Sequence, residues 1–345
     1  MPPFDRDQPF DPSPPVRLTL NRGADRQPAW LPDGSGILYS TQLVDIPDND
    51  VCLARLPATG GSQRQLTCAL TPTSINLTDA LESAAPAADG RLAFVAATSG
   101  IGALVPDAQS IVLASVGDPA TSQSLQAVPF TIPGGRTHQG VSQIRWLGPN
   151  RLVFLGEAVT VLRPCQFCPL DTLRSGLDAV WLNVDATPPA PHMIAGTDFA
   201  SGVAPGANED EVYYTLGGDT KVYRRLISTG EIVVVHDFGA AGIARDVHVV
   251  GSRMAAVVGG RVAFAVQPSL GPTQWDSGGV VHVVNLQDGT DMTLDGPGLF
   301  RRPQLSPSGS GIVAEVYPLI IVRFPDETAD TTVSMVGDLY SFGQP

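Results

Sequence analysis

Lysine is nearly missing from this sequence: Lys221 is the only one among 21 basic residues. That scarcity argues against Schiff-base chemistry and against lysine-built phosphate cradles. Basic residues cluster no further than the pairs Arg224-Arg225 and Arg301-Arg302, while 34 acidic residues bring the formal charge to −13. A surface of that sign repels phosphate backbones, so no nucleic acid partner is expected. No uninterrupted apolar run of eighteen residues occurs, so no transmembrane segment is expected either. There is no G-x-S-x-G elbow, which argues against an attached peptidase site. The opening "MPPFDRDQPFDPSPP" lacks the charged-then-apolar pattern of an export signal. Residues 1–15 read as a flexible Pro/Asp-rich tether, the place where a membrane attachment would sit.

What is abundant is turn chemistry, with Gly 36 and Pro 31. The stretch "AWLPDGSGILYS" (29–40) sets an apolar strand, a Pro-Asp-Gly turn and a second alternating strand in a row. Related hairpins follow as "APAADGRLAFVA" (85–96), "IRWLGPNRLVFLG" (144–156), "VAPGANEDEVYYT" (203–215), "VHVVGSRMAAVV" (247–258) and "PQLSPSGSGIVAEV" (303–316). The turn residues supply positive φ or a preset φ, so they punctuate the chain at a fixed place in each repeat. Anchors of the second strands fall at Ile37, Leu92, Leu152, Val212, Met254 and Ile312, at intervals of 55, 60, 60, 42 and 58 residues.

A third strand follows each hairpin, from "DVCLARL" (50–56) to "DLYSF" (338–342), and a fourth follows the first five. Those fourth strands are "RQLT" (64–67), "VPFTI" (128–132), "HMIAG" (192–196), "IVVVHD" (232–237) and "DMTLD" (291–295). The sixth repeat has none, but "VRLTL" (16–20) has the right character and no partner. The expectation is an all-β fold: a six-bladed β-propeller of four-stranded antiparallel blades over residues 16–345, closed by strand 16–20 in the last blade.

"PAWLPDGSGILYS" followed by "LARLPATGGSQRQLT" resembles the repeat of TolB-type propellers, and "RRPQLSPSGSGI" keeps the pattern in the sixth blade. Blades two to five carry "AADG", "LGPN", "PGANED" and "VGS" at the same turn. The resemblance implies a WD40-like propeller architecture. It has no counterpart here of the α/β domain that precedes the TolB propeller, so TolB's partner binding does not transfer.

Strand connectivity puts first-to-second and third-to-fourth turns on one face, and second-to-third loops on the other. The insertions gather in the second-to-third loops, at 41–50, 98–109, 157–178, 267–279 and 317–337. Long loops on one face of a rigid ring are where binding residues collect. Phe167, Trp275 and Phe324 are the candidate apolar anchors of a partner-binding face.

The four cysteines suggest two bridges. If the turn between third and fourth strands of the first blade centres on Gly60, Leu56 faces Arg64 and Cys52 faces Cys68, near bridging distance. Cys165 and Cys168 in "PCQFCP" would form a local bridge pinning a long loop. A redox pair or a zinc site is the less favoured reading, because no βαβ setting, second C-x-x-C or H-x-x-x-H exists. Two bridges imply a periplasmic, cell-surface or extracellular protein.

Of the five histidines, His236, His248 and His282 fall on expected strands, where a structural imidazole is the favoured reading; His138 and His192 form no spaced pair. Asp45, Asp48 and Asp50 lack the glycine and glutamate of a calcium loop, and the Asn76 sequon is uninformative. The expectation is a non-catalytic propeller with no cofactor and no metal, binding a protein or cell-envelope component through its looped face. The alternative is a metal-dependent hydrolase or lyase with its site on the propeller axis.

Overall fold

The computed structural model describes residues 15–19, 24–42, 51–68, 80–98, 108–132, 136–162, 171–259, 262–267, 271–276, 278–294, 296, 299–317 and 338–342. In chain order β1 is Val16–Arg17, and blade one is β2 (Asp25–Trp30), β3 (Gly36–Gln42), β4 (Val51–Pro57) and β5 (Arg64–Thr67). Blade two is β6 (Ala80–Pro86), β7 (Arg91–Thr98), β8 (Ala108–Ser115) and β9 (Asp118–Val128). After the short β10 (Phe130–Thr131), blade three is β11 (Thr137–Trp146), β12 (Arg151–Leu162), β13 (Asp171–Asn183) and β14 (His192–Met193). Blade four is β15 (Ala200–Pro205), β16 (Glu211–Leu216), β17 (Lys221–Leu226) and β18 (Ile232–Asp237). Blade five is β19 (Ala244–Val250), β20 (Arg253–Val258), β23 (Val280–Asn285) and β24 (Asp291–Leu294), with β21 (Val262–Gln267) and β22 (Gly271–Asp276) inserted as a hairpin. Blade six is β25 (Leu299–Leu305), β26 (Ile312–Tyr317) and β27 (Asp338–Phe342), completed by β1.

The ring closes where the sequence places the closure. Val16 pairs with Ser341 and Arg17 with Tyr340, antiparallel. Leu18 N donates to Leu339 O at 2.8 Å, and Leu339 N donates to Thr19 Oγ1 at 3.0 Å. The first strand of each blade touches the first strands of the next and previous blades, β25 meeting β2 to complete the circuit. A single parallel bridge, Val51 to Ala80, also joins blades one and two.

Turn chemistry explains each hairpin locally. In the first, the Asp33 carboxylate accepts from Ser35 N at 2.9 Å and from Ser35 Oγ at 2.7 Å, and those bonds hold its pKa below the ordinary value. Asp89 does the same for Arg91 N in blade two, at 3.1 Å. All six second-strand anchors, Ile37, Leu92, Leu152, Val212, Met254 and Ile312, are fully buried. The apolar core is divided into six clusters, one between each pair of neighbouring blades. Burial of that kind is the driving force holding the blades together.

The seam between blades six and one has a polar pin as well. Trp30 Nε1 donates to Gln304 O at 2.9 Å inside the core. Trp30→Phe keeps most of the ring volume but orphans that carbonyl, and is expected to cost about 1–2 kcal/mol in urea unfolding. A neutral result would mean the seam does not use this bond.

Three expectations about the strands need correction. The fourth strand of blade two is Asp118–Val128, not 128–132, because Val116 and Gly117 make a tight turn straight back along β8. The segment 157–178 is no loop at its ends: β12 and β13 run on as a paired arm, from Glu157 opposite Leu177 to Leu162 opposite Asp171. The segment 267–279 likewise contains half of a hairpin, with Val262 opposite Asp276.

Candidate functional site

Each inner strand carries a β-bulge, at the same place in five blades and nearer the start of the strand in blade four. The register shifts fall between Arg26 and Ala29, Glu82 and Ala85, Ser142 and Arg145, Ala200 and Gly202, Arg245 and His248, and Arg301 and Gln304. Five of these bulges hold a non-glycine residue in the left-handed region: Gln27 (φ 53°), Ser83 (53°), Gln143 (54°), Asp246 (49°) and Arg302 (46°). That conformation costs roughly 1–2 kcal/mol per residue. Something must hold all five.

A relay of hydrogen bonds around the axis supplies it. Gln27 Oε1 accepts from Ser83 N at 2.5 Å, and Ser83 Oγ accepts from Gln143 N at 3.3 Å. Gln143 Oε1 accepts from Val203 N at 3.3 Å, while its Nε2 donates to Asp246 Oδ1 at 2.9 Å. Asp246 Oδ2 accepts from Arg302 N at 3.1 Å. The circuit closes on the buried Glu315, whose Oε2 accepts from Gln27 N at 3.3 Å and Arg302 Nη1 at 2.9 Å. In blade four Val203 supplies the amide to the relay, and its neighbour Gly202 lets the next blade approach, since a Cβ there would lie 2.7 Å from Asp246 N. At four of the six steps the bulge residue of one blade thus caps a bulge amide of the next.

Above this ring lies a cavity of about 560 Å³. Its walls include the N-terminal halves of the inner strands, with Glu82, Ser142, Gln143, Arg245, Asp246 and Arg302, and the root of the blade-three arm at Glu157, Gly176 and Leu177. The β16–β17 connection adds Gly217 and Gly218, so the cavity opens on the face from which the second-to-third connections emerge. Its size is that of a small-molecule pocket. At the rim Phe199 is 55% exposed and left-handed (φ 65°), an uncommon state for a bulky residue. The Arg136 guanidinium lies 5.7 Å from its ring centroid, and Gly176 leaves room for the ring, since a Cβ there would sit 2.6 Å from it.

Below the ring a smaller cavity of about 190 Å³ opens at the opposite mouth. Trp30, Arg145, Trp146, His248 and Gln304 are among its walls. Burial pushes the His248 pKa down to about 3, with the Arg145 charge adding to the effect, and its Nδ1 accepts from Leu305 N at 3.1 Å. The folded protein therefore keeps this imidazole neutral while the unfolded chain takes up a proton below about pH 6.5. Stability contributed by neutral His248 is full above pH 6.5 and falls as pH drops toward 3, at up to about 1.4 kcal/mol per unit. His248→Gln should flatten the slope of unfolding free energy between pH 6.5 and 4; an unchanged slope would contradict this burial.

The remaining histidines serve structural contacts. His138, fully buried, lies 3.0 Å from Asp178 and stacks on Phe130 at 5.0 Å between centroids. His192 stacks on Trp181 at 4.3 Å. His236 and His282 come together at the blade four–five seam, at 3.7 and 2.9 Å from Asp291, a convergence invisible in their spacing.

Cys52 and Cys68 are disulfide-bonded, with Cα atoms 4.2 Å apart. The route to that pairing differs from a simple hairpin count. Arg64 faces Arg55 rather than Leu56, and a bulge between Leu53 and Ala54 restores Leu53 opposite Thr67, next to the bridge. Trp275 sits opposite Ala263 in the β21–β22 hairpin. Phe167, Phe324, Cys165 and Cys168 lie outside the described residues. Phe199 was not legible as a rim residue, and its only signal is an aromatic in the short connection before blade four.

No protein-family model and no curated sequence matches the chain. Solved structures do. The chain is similar to a gluconolactonase from Xanthomonas campestris, at 14% identity over 96% of this chain and 89% of that one, TM-score 0.59. It is similar to the WD40 repeats of RRP9, at 12% identity over 96% and 98%, TM-score 0.54. A putative TolB from Agrobacterium tumefaciens matches at 12% identity over 94% and 91%, TM-score 0.51. The fold is that of a TolB-like, WD40-like propeller. At these identities the likeness concerns the fold alone, which carries enzymes and binding proteins alike.

Proposed function

We propose that this propeller is a non-catalytic, extracytoplasmic protein that binds a protein or cell-envelope partner through the face bearing the long second-to-third connections. The observation that carries the reading is the 560 Å³ axial cavity, which opens on that face and takes part of its wall from the root of the blade-three arm. A partner gripped by the arms would reach a pocket on the axis, with Phe199 as an exposed aromatic contact at its edge. The Cys52–Cys68 bridge supports an oxidising compartment. No helix of the described residues is long and apolar enough to cross a membrane.

The competing reading, an axial metal-dependent hydrolase or lyase, draws on a fold shared with a gluconolactonase. It requires ligands arranged for a metal on the axis; among the described residues no group of three His, Cys, Asp or Glu is so arranged, and the His236–His282–Asp291 contact lies at the blade four–five seam, outside the axial cavity. A photo-crosslinking residue placed at Phe199, compared with one at Asp89 on the opposite face, tests the proposal in the native envelope. A discrete adduct from position 199 alone is expected. Equal labelling from both faces would overturn it, as would stoichiometric metal with metal-dependent turnover.

A further inference from the structure

Arg145 lines the smaller cavity with little to satisfy its charge. It stands between Ile144 and Trp146 on β11, beside the bulge, and reaches the axis below the hydrogen-bond relay. Nη1 donates only to the carbonyl of Ile144, at 2.8 Å, and Nε is buried without a partner. No carboxylate among the described residues lies within 4.0 Å of this guanidinium. Asp246 favours its charged form from further away, and Arg302 opposes it. The side chain is half-buried, and a partly desolvated guanidinium without a counter-charge at contact distance is a ready partner for an anion.

The smaller cavity is where a counter-charge would sit. Around Arg145 it presents a neutral imidazole, that of His248, whose Nδ1 already accepts a bond and whose Nε2 is therefore the protonated nitrogen. Gln304 is buried, and its side-chain amide makes no hydrogen bond to the protein. The other walls are apolar: Trp30, Ala85, Pro86, Trp146, Pro205 and Leu305 are among them. The Trp30 and Trp146 indole N–H groups are taken by the carbonyls of Gln304 and Ala85, at 2.9 and 2.7 Å, leaving their rings as wall.

We propose that this cavity is a binding site for a monocarboxylate carried on a small apolar body, with Arg145 as its charge partner. One guanidinium with a neutral imidazole and an amide supplies a single positive charge and several donors. That complement fits a carboxylate, which an Arg fork can hold with two parallel bonds, better than a phosphate dianion. At about 190 Å³ the space suits a small acid, or the last residue of a chain ending in a free carboxylate. Both sources share one chemistry. The site lies at the mouth opposite the partner face, so it stands or falls independently of the reading above.

Calorimetric titration of the full chain with benzoate, hexanoate and N-acetyl-leucine tests it, each against its neutral amide. The acids should bind with one-to-one stoichiometry, and the amides at least about tenfold more weakly, as expected for loss of a charge-assisted bond. A preference for N-acetyl-leucine points to a chain terminus, and a preference for the simple acids points to a free metabolite; either supports the site. Arg145→Gln should weaken acid binding by about tenfold to a hundredfold while the amides are unaffected. Acids and amides binding alike to the wild-type chain would overturn the proposal, as would no acid binding at millimolar concentration. Acid binding retained by the folded Arg145→Gln variant would do so too. If that variant does not fold, the acid-against-amide comparison on the wild-type chain decides alone.

Discussion

Replacing Glu315 by alanine should destabilise the protein by about 3–5 kcal/mol, the range for removing one partner of a buried ion pair. Glu315 is fully buried on β26, and its Oε2 accepts both from Arg302 Nη1 and from the strained amide of Gln27. Removing it takes the carboxylate from a guanidinium that is only partly exposed, and frees the left-handed bulge in blade one. The effect should be concentrated at the seam between blades six and one, where β1 and β27 are joined by few bonds. Hydrogen exchange should therefore quicken first at Leu18 and Leu339. Glu315→Gln keeps an acceptor oxygen but loses the charge, and should fall between the alanine variant and the wild type. Chemical denaturation of the three proteins checks the order. A loss below about 1 kcal/mol for the alanine variant would show that the relay contributes little.

The second large effect concerns the Cys52–Cys68 bridge, which closes a sequence separation of 16. The chain-entropy argument gives about 3 kcal/mol for a loop of that size. Cys52→Ala/Cys68→Ala should lower the unfolding free energy by that order, with a larger m-value because the unfolded chain is no longer held compact. Cys52 is fully buried on β4, so alanine leaves its environment apolar and the loss reflects the cross-link more than a polar mismatch. In a chain with Cys165 and Cys168 replaced by serine, reductant should reproduce the shift, and adding the double substitution should remove its effect. A variant as stable as the parent would mean that β4 and β5 are held by their ladder alone.

Where the chain obeys local chemistry, the fold was legible. Turn residues at a fixed place in six hairpins give the blade count, and the six anchors they predict are fully buried. Thr19 and Leu18 meeting Leu339 confirm a closure inferred only from an unpartnered strand at one end and a missing one at the other. Legibility failed where periodicity breaks. The turn sets Arg64 opposite Arg55, one residue off the count, a bulge at Leu53 and Ala54 undoes that shift, and nothing in "RLPATGGSQR" announces either. The outer strand Asp118–Val128 is polar because it sits at a blade edge, so its apolar end drew the boundary to the wrong place. The axial ring is the largest omission. Gln27, Ser83, Gln143, Asp246 and Arg302 look like ordinary polar positions of a strand, because bulges of this kind more often carry glycine. Only their recurrence, once the blades are superposed, shows that they share a role.

Residues 16–17 complete the sixth blade and close the ring. A cysteine pair placed at Val16 and Ser341, which face each other across the closing ladder, tests this directly in a chain with Cys165 and Cys168 replaced by serine. Under oxidation the ring predicts a digest in which the peptides carrying positions 16 and 341 leave as one species and separate on reduction. Both engineered cysteines emerging free and on separate peptides would contradict the closure.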